Sequence, residues 1–259
     1  MSDQLSYYID RPSPVHRLNP LTKLTAAFML IVLAFFGPGY WLPSLLFAVV
    51  LVPLSFWAKV GTEFLRMVVR FLLPVIGFMF VMQMFFYPGG ETPIFQLWFL
   101  TATMEGVRFA YQLVTRILIL ISAFILVFLT TQPTTMMSDL AQRGLPGALP
   151  FVITSTLQIL PQMRQKANTI IDAQRSRGLE TEGGVRQRVG ALLPLVGPLV
   201  FGSIVDVEER TIAIEARAFT SPNKKTSLYE IRDPRYESIA RWLMLAIMIV
   251  TVGSRIWRL

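Results

Sequence analysis

Long apolar runs broken by short polar or glycine-proline punctuation dominate the first half of the chain. Leu24 to Phe36 is apolar and stops at Gly37-Pro38-Gly39, residues that end a helix. Trp41 to Ala58 follows at once, with Trp41 and Trp57 at its ends where interfacial anchors belong. Val68 to Tyr87 comes next, and Pro74 predicts a kink in it. Val107 to Thr130 and Ile239 to Ile256 complete five apolar segments that read as membrane-spanning helices. Between the third and fourth, Pro88 to Gly106 holds Glu91 and Glu105 but no lysine or arginine, the charge pattern of an external loop. Its apolar piece, Ile94 to Leu100, is expected to lie along the membrane surface or dip into it.

From Thr131 to Arg235 the pattern changes. Pro150 to Leu160 is apolar and Gln162 to Arg177 polar, both at helical spacing; Val189 to Val205 is apolar and is followed by Asp206, Glu208, Glu209 and Arg210. Each pair reads as one long helix, half against membrane-level helices and half projecting into water. Thr181 to Gly184 is expected to form the polar turn between them. The fold class is therefore all-α: a polytopic membrane protein of about five transmembrane helices plus long cytosolic coupling helices. The expected division is residues 1–130 as N-terminal membrane helices, 131–236 as the cytosolic coupling region, and 237–259 as the last membrane helix.

Composition agrees. The 259 residues are 53% hydrophobic and only 15% charged, with a mean hydropathy of +0.54. A soluble chain carries about 25% charged residues. The formal charge of +8 does not point to nucleic acid. Thirteen lysines and arginines fall between Thr131 and Arg235, where the positive-inside rule places them in the cytosol. The N-terminus is expected on the same side, in a cell inner (plasma) membrane. Counting five spans from there puts the C-terminus outside, with Arg255 and Arg258 on the disfavoured side. The first 23 residues lack the apolar core of a removable signal peptide.

Chemistry-bearing motifs are scarce. There is no cysteine and one histidine, His16, which reads as a solvated side chain beside Arg11 and Arg17. Thiol, zinc and Ser-His-Asp chemistry are excluded. No phosphate-cradling Gly-x-x-x-x-Gly-Lys-[Ser/Thr] occurs. Met79, Met82 and Met84 read as flexible packing rather than copper ligands, and Asp206, Glu208 and Glu209 as a solvated or intersubunit face. No catalytic set, metal site or cofactor is expected, and the chain is not expected to be an enzyme. Within the fourth span, Arg108, Gln112, Thr115 and Arg116 share one helical face, and Arg116 is either a subunit contact or an arginine snorkelling to the interface.

Two short stretches stand out. Ala173-Gln174-Arg175-Ser176-Arg177-Gly178 and Ala213-Ile214-Glu215-Ala216-Arg217-Ala218 each read alanine, three residues, arginine, then a small residue. Small neighbours let the backbone approach another surface while the guanidinium, planar and permanently charged, is the large group presented. With the order of apolar segments around it, this pair resembles the transmembrane T component (EcfT/CbiQ type) of energy-coupling factor transporters. Ser176-Arg177-Gly178 matches the first Ala-Arg-Gly-type motif of that family. Glu215-Ala216-Arg217-Ala218-Phe219 matches the second, with Ala218 where glycine is usual. Softer matches are Leu18-Asn19-Pro20-Leu21-Thr22-Lys23-Leu24, Arg143-Gly144-Leu145-Pro146 and Ser227-Leu228-Tyr229.

The resemblance implies an energy-coupling membrane subunit of an ABC-type importer. Its two arginine motifs would dock into two ABC-type ATPase subunits, and a separate S component would capture a vitamin or a transition-metal ion. Ser176, Arg177, Gly178, Ala216, Arg217 and Ala218 would be the ATPase-coupling residues. Two rivals remain: a conventional ABC permease with its own substrate path, which would need polar residues along several spans, and an intramembrane lipid enzyme, which would need facing carboxylates or a histidine pair.

Overall fold

In a computed structural model the described residues are 8–88, 92–97, 100–178, 185–219, 221 and 233–257. The chain is an all-α polytopic membrane protein. A short helix, α1 (Pro14–Arg17), leads into α2 (Pro20–Phe36), α3 (Leu42–Trp57) and α4 (Gly61–Phe86). A hairpin of β1 (Pro93–Leu97) and β2 (Leu100–Thr103) precedes α5 (Met104–Thr130) and α6 (Pro133–Gln142). Then come α7 (Ala148–Ser176), α8 (Val185–Ala216) and α9 (Arg235–Ile256). Helices α4, α5 and α9 are long and apolar enough to cross a membrane; α2 and α3 are shorter apolar helices. Two compact units result, one built on residues 144–230, the other on 6–143 and 231–259.

Both shorter-range irregularities have the same cause. Proline has no N–H for the carbonyl four residues back, and its ring crowds that carbonyl. A π-helical turn, Phe47–Leu51 in α3, brackets Val49, four residues before Pro53; Val68–Leu72 in α4 brackets Arg70, four before Pro74. The wider turn gives each ring room. Pro74 thus acts through a widened turn, and the helix runs unbroken from Gly61, seven residues before the expected start of that span.

The core of the larger unit is a stripe on α5 (Ile119, Ala123, Leu126, Val127) against Ala27, Leu30 and Ala34 of α2 and Phe64, Val68 and Leu72 of α4. The steps of three and four residues keep these positions on one helical face. Gly106 allows α5 to approach α4 closely: a Cβ there would lie 2.9 Å from the Met84 carbonyl oxygen of α4. The stretch expected along the membrane surface forms an antiparallel hairpin that feeds Thr103 into α5 as its N-cap, its hydroxyl accepting from the Gly106 N–H at 3.2 Å.

From Tyr8 onward the segment before α1 is tied to the larger unit. The Ile9 N–H donates to the Leu129 carbonyl at 3.2 Å, and Arg11 bridges to Glu63 at 2.6 Å and to the Lys59 carbonyl. His16, read from sequence as solvated, is half-buried, with Nδ1 2.7 Å from Ser13 Oγ and Nε2 3.0 Å from the Ile9 carbonyl. Burial holds its pKa below the ordinary 6.5. It is a structural rivet for the segment.

Candidate functional site

Helices α7 and α8 form the scaffold of the smaller unit, with 29 and 32 residues. Their lengths are about 43 and 48 Å at 1.5 Å per residue. They are tied side to side by charge: Lys166 pairs with Asp206, and the Arg210 guanidinium donates to Gln162 Oε1 at 2.7 Å. Ser203 Oγ lies 3.7 Å from Met163 Sδ. Rising numbers on α7 meet falling numbers on α8, so the two run antiparallel where they touch. Phe151 near the start of α7 accordingly meets Phe219 just past the end of α8, ring centroids 4.7 Å apart.

Each predicted arginine triplet ends one of these helices. Ser176 is the last residue of α7, Arg177 its C-cap, and Gly178 follows at φ +90°. The Gly178 N–H donates to the Arg175 carbonyl at 2.9 Å. On α8, Ala216 is last, Arg217 follows, and Ala218 takes φ +55°. There the Ala218 N–H donates to Glu215 at 2.9 Å and the Phe219 N–H to Ile214 at 3.2 Å. These are the two reversed bonds of a Schellman ending, which needs a left-handed residue one past the cap. So the small residue after each arginine has a backbone cause: glycine supplies that conformation freely, and alanine adopts it at a cost of roughly 1 kcal/mol. The alanine at 218 keeps the geometry that glycine would give.

All six triplet residues are exposed. Ser176 Oγ donates back to the Asp172 carbonyl at 3.0 Å. Neither the Arg177 nor the Arg217 side chain makes a hydrogen bond or ion pair among the described residues. The two triplets are not brought together. With Gln162 opposite Arg210, the antiparallel pair holds the arginines up to about 33 Å apart, at opposite ends. The expected turn at Thr181 to Gly184, and Ser227-Leu228-Tyr229, lie outside the described residues.

Arg116 is engaged inside the larger unit. Its Nε donates to the Ala34 carbonyl at the end of α2 at 3.3 Å, and its guanidinium carbon lies 5.7 Å from the centre of the Phe35 ring. The polar face around it is divided, with Thr115 buried and bonded to the Tyr111 carbonyl and Arg108 exposed.

A second polar constellation was not legible as a site. The Glu237 carboxylate on α9 accepts from the Asn19 N–H at 2.9 Å and the Thr22 hydroxyl at 2.8 Å. Arg241, one turn on, donates to Thr22 Oγ1 at 3.0 Å and to both Asp233 oxygens at 2.8 Å. Asp139 of α6 accepts from Asn19 Nδ2 at 3.3 Å and Arg143 Nε at 3.2 Å. Lys23 Nζ caps the end of α5 through the Thr130 carbonyl at 2.7 Å. The charges balance, with Asp139, Asp233 and Glu237 against Lys23, Arg143 and Arg241. Partial desolvation pushes the Asp233 carboxyl up, but the hydrogen bonds and charges of Arg241 and Arg143 outweigh it and hold it below 3.8. The signal in the sequence was Glu237 and Arg241, one turn apart at the head of an otherwise apolar span.

Five apolar helices and two paired long helices that end in exposed arginines define a polytopic membrane protein presenting two separated cationic tips. The family model described as CbiQ, cobalt transport protein, matches residues 11–228, and the chain belongs to that family. It is also similar to proteins named energy-coupling factor transporter transmembrane protein EcfT. The one from Limosilactobacillus fermentum is 28% identical over 259 residues, covering 96% of each chain. That from Lactococcus lactis subsp. cremoris is 25% identical over 260 residues, again covering 96% of each. The Streptococcus equi subsp. equi protein is 28% identical over 232 residues, covering 86% of this chain and 85% of its own.

Proposed function

We propose that this chain is the energy-coupling transmembrane subunit of an ECF-type importer in the plasma membrane, with the α7–α8 unit on the cytosolic side. Two ABC-type ATPase subunits grip the tips Ser176-Arg177-Gly178 and Ala216-Arg217-Ala218, one each. A separate S component carries a vitamin or a transition-metal ion, and this chain binds no substrate of its own. The observation that carries the reading is that both arginines are exposed C-caps of the same geometry, held far enough apart for two partners. Closure of an ATPase dimer would draw the tips together, and the long helices would convey that displacement; the work comes from contacts that differ between the two states. The printed names of the relatives support the coupling role, and the family description supports a metal among the cargoes.

Arg177→Ala and Arg217→Ala, singly and together, test it. Each truncation is expected to weaken ATPase binding by about 2 to 5 kcal/mol. Single variants should then copurify less ATPase, and the double variant should neither retain ATPases nor support uptake. Full ATPase yield with undiminished uptake in the double variant would refute the assignment.

A further inference from the structure

The chain leaves the larger compact unit after Arg143 and comes back to it at residue 231. At these two crossings the Arg143 guanidinium donates to Asp233 Oδ2 at 2.8 Å. Asp233 is gripped from its other side by Arg241 at 2.8 Å to both oxygens. Behind this ion triad lies the buried assembly of Asn19, Thr22, Asp139 and Glu237, each 5% exposed or less. The two covalent tethers of residues 144–230 are therefore fastened to each other, and the fastening is seated on the first turns of α2 and α9. Immediately outside it, Gly144 takes φ +106°, with nothing within 4 Å of where a Cβ would stand. Backbone freedom begins one residue past the fastening.

Two independent tethers would absorb a displacement separately, each rotating about its own backbone torsions. A carboxylate held between two guanidiniums resists that, because the groups are directional and Arg241 Nη2 bridges both Asp233 oxygens while its Nη1 is held by Thr22. The Arg143–Asp233 pair is about one-third open to solvent, but Arg241, with a side chain 10% exposed, and the buried groups behind it fix Asp233 in place.

We propose that Arg143, Asp233 and Arg241 form a clamp that makes the two crossings move as one, so that displacement of the α7–α8 unit reaches α2 and α9 instead of being lost at the tethers. The inference rests on the coupling role above and adds positioning residues to it. A broken clamp leaves the arginine tips intact, so the loss falls on coupling and not on docking.

The test uses the complete transporter, with its ATPases and S component, in liposomes. Asp233→Asn and Arg143→Gln should each lower uptake at least tenfold, while copurified ATPase stays at the wild-type level and ATP hydrolysis within about twofold of it. The chain has no cysteine, so Arg143→Cys with Asp233→Cys places a unique thiol pair at the clamp. Joining that pair with a short bifunctional thiol reagent should restore at least half of the uptake that the unjoined pair has lost. Wild-type uptake per ATP in both single variants, or a joined pair no better than the unjoined one, would overturn the proposal. So would loss of ATPase from Asp233→Asn, which would move the residue from coupling to docking. Failure of the coupling role itself would show elsewhere, as unaltered ATPase capture by the Arg177→Ala/Arg217→Ala variant.

Discussion

Replacing Glu237 with alanine removes the acceptor on which two buried donors depend. The Asn19 N–H and the Thr22 hydroxyl both end on Glu237 Oε2, and Asn19, Thr22 and Glu237 are 2%, 5% and 3% exposed. Water cannot easily take the carboxylate's place. Hydrogen bonds to a charged acceptor contribute about 1.5–3 kcal/mol each, and breaking a buried charged network by removing one member typically costs about 3–5 kcal/mol. The same deletion leaves Lys23, Arg143 and Arg241 opposed by only Asp139 and Asp233. We expect Glu237→Ala to destabilise by about 4 kcal/mol, which for a chain of this size lowers the thermal midpoint by roughly 10 °C. Glu237→Gln keeps an acceptor oxygen and loses the charge, so it should cost about half as much. The assay is thermal unfolding of the purified protein in a mild detergent, followed by loss of monodisperse protein for wild type, Gln and Ala. Equal shifts for the two variants would refute the hydrogen-bond argument, because only the charge would then matter. No shift in either would refute the network as a source of stability.

Ala218→Gly should relieve the left-handed alanine at the end of α8 and stabilise that turn by about 1 kcal/mol, read as roughly fivefold slower amide exchange at Arg217 to Phe219. Gly178→Ala should do the reverse at the end of α7, and unchanged exchange in both would remove the backbone reason for a small residue there. Asp233, with a folded pKa below the ordinary 3.8, contributes stability that is fully present above that value and lost as pH falls through the lower, folded one. The thermal-midpoint gap between wild type and Asp233→Asn should therefore be flat near neutrality and close in acid below 3.8; a gap that survives complete protonation would contradict the assigned ion pairs.

The helical architecture was legible because period and length speak directly. A continuous apolar stretch such as Ile117 to Leu129 cannot be much other than a buried or membrane helix, and the pairing of an apolar half with a polar half announced α7 and α8. Helix starts were less legible. The head of α5 lies three residues earlier than Val107, because Thr103 supplies a cap that apolar periodicity does not register. The arginine triplets were visible as small-flanked cations, yet their common geometry required backbone angles; an alanine at φ +55° is invisible in a string of letters. The buried network was hidden for another reason. Asn19, Asp139 and Glu237 are unremarkable one at a time, and only the fold brings them within hydrogen-bonding distance.

That long reach in sequence also sets an order of events during biosynthesis. Asn19 and its acceptor Glu237 are 218 residues apart. A ribosome adding about 5–20 residues per second needs on the order of 10–40 s to make that length. For this interval the Asn19 N–H and the Thr22 hydroxyl at the head of α2 lack their Glu237 acceptor, while the Asn19 side chain already has the Leu21 N–H at 2.9 Å and, once it is made, Asp139 at 3.3 Å. The last helix to emerge is thus the one that closes the first, and a nascent chain truncated before residue 237 would expose a half-satisfied polar turn to membrane quality control.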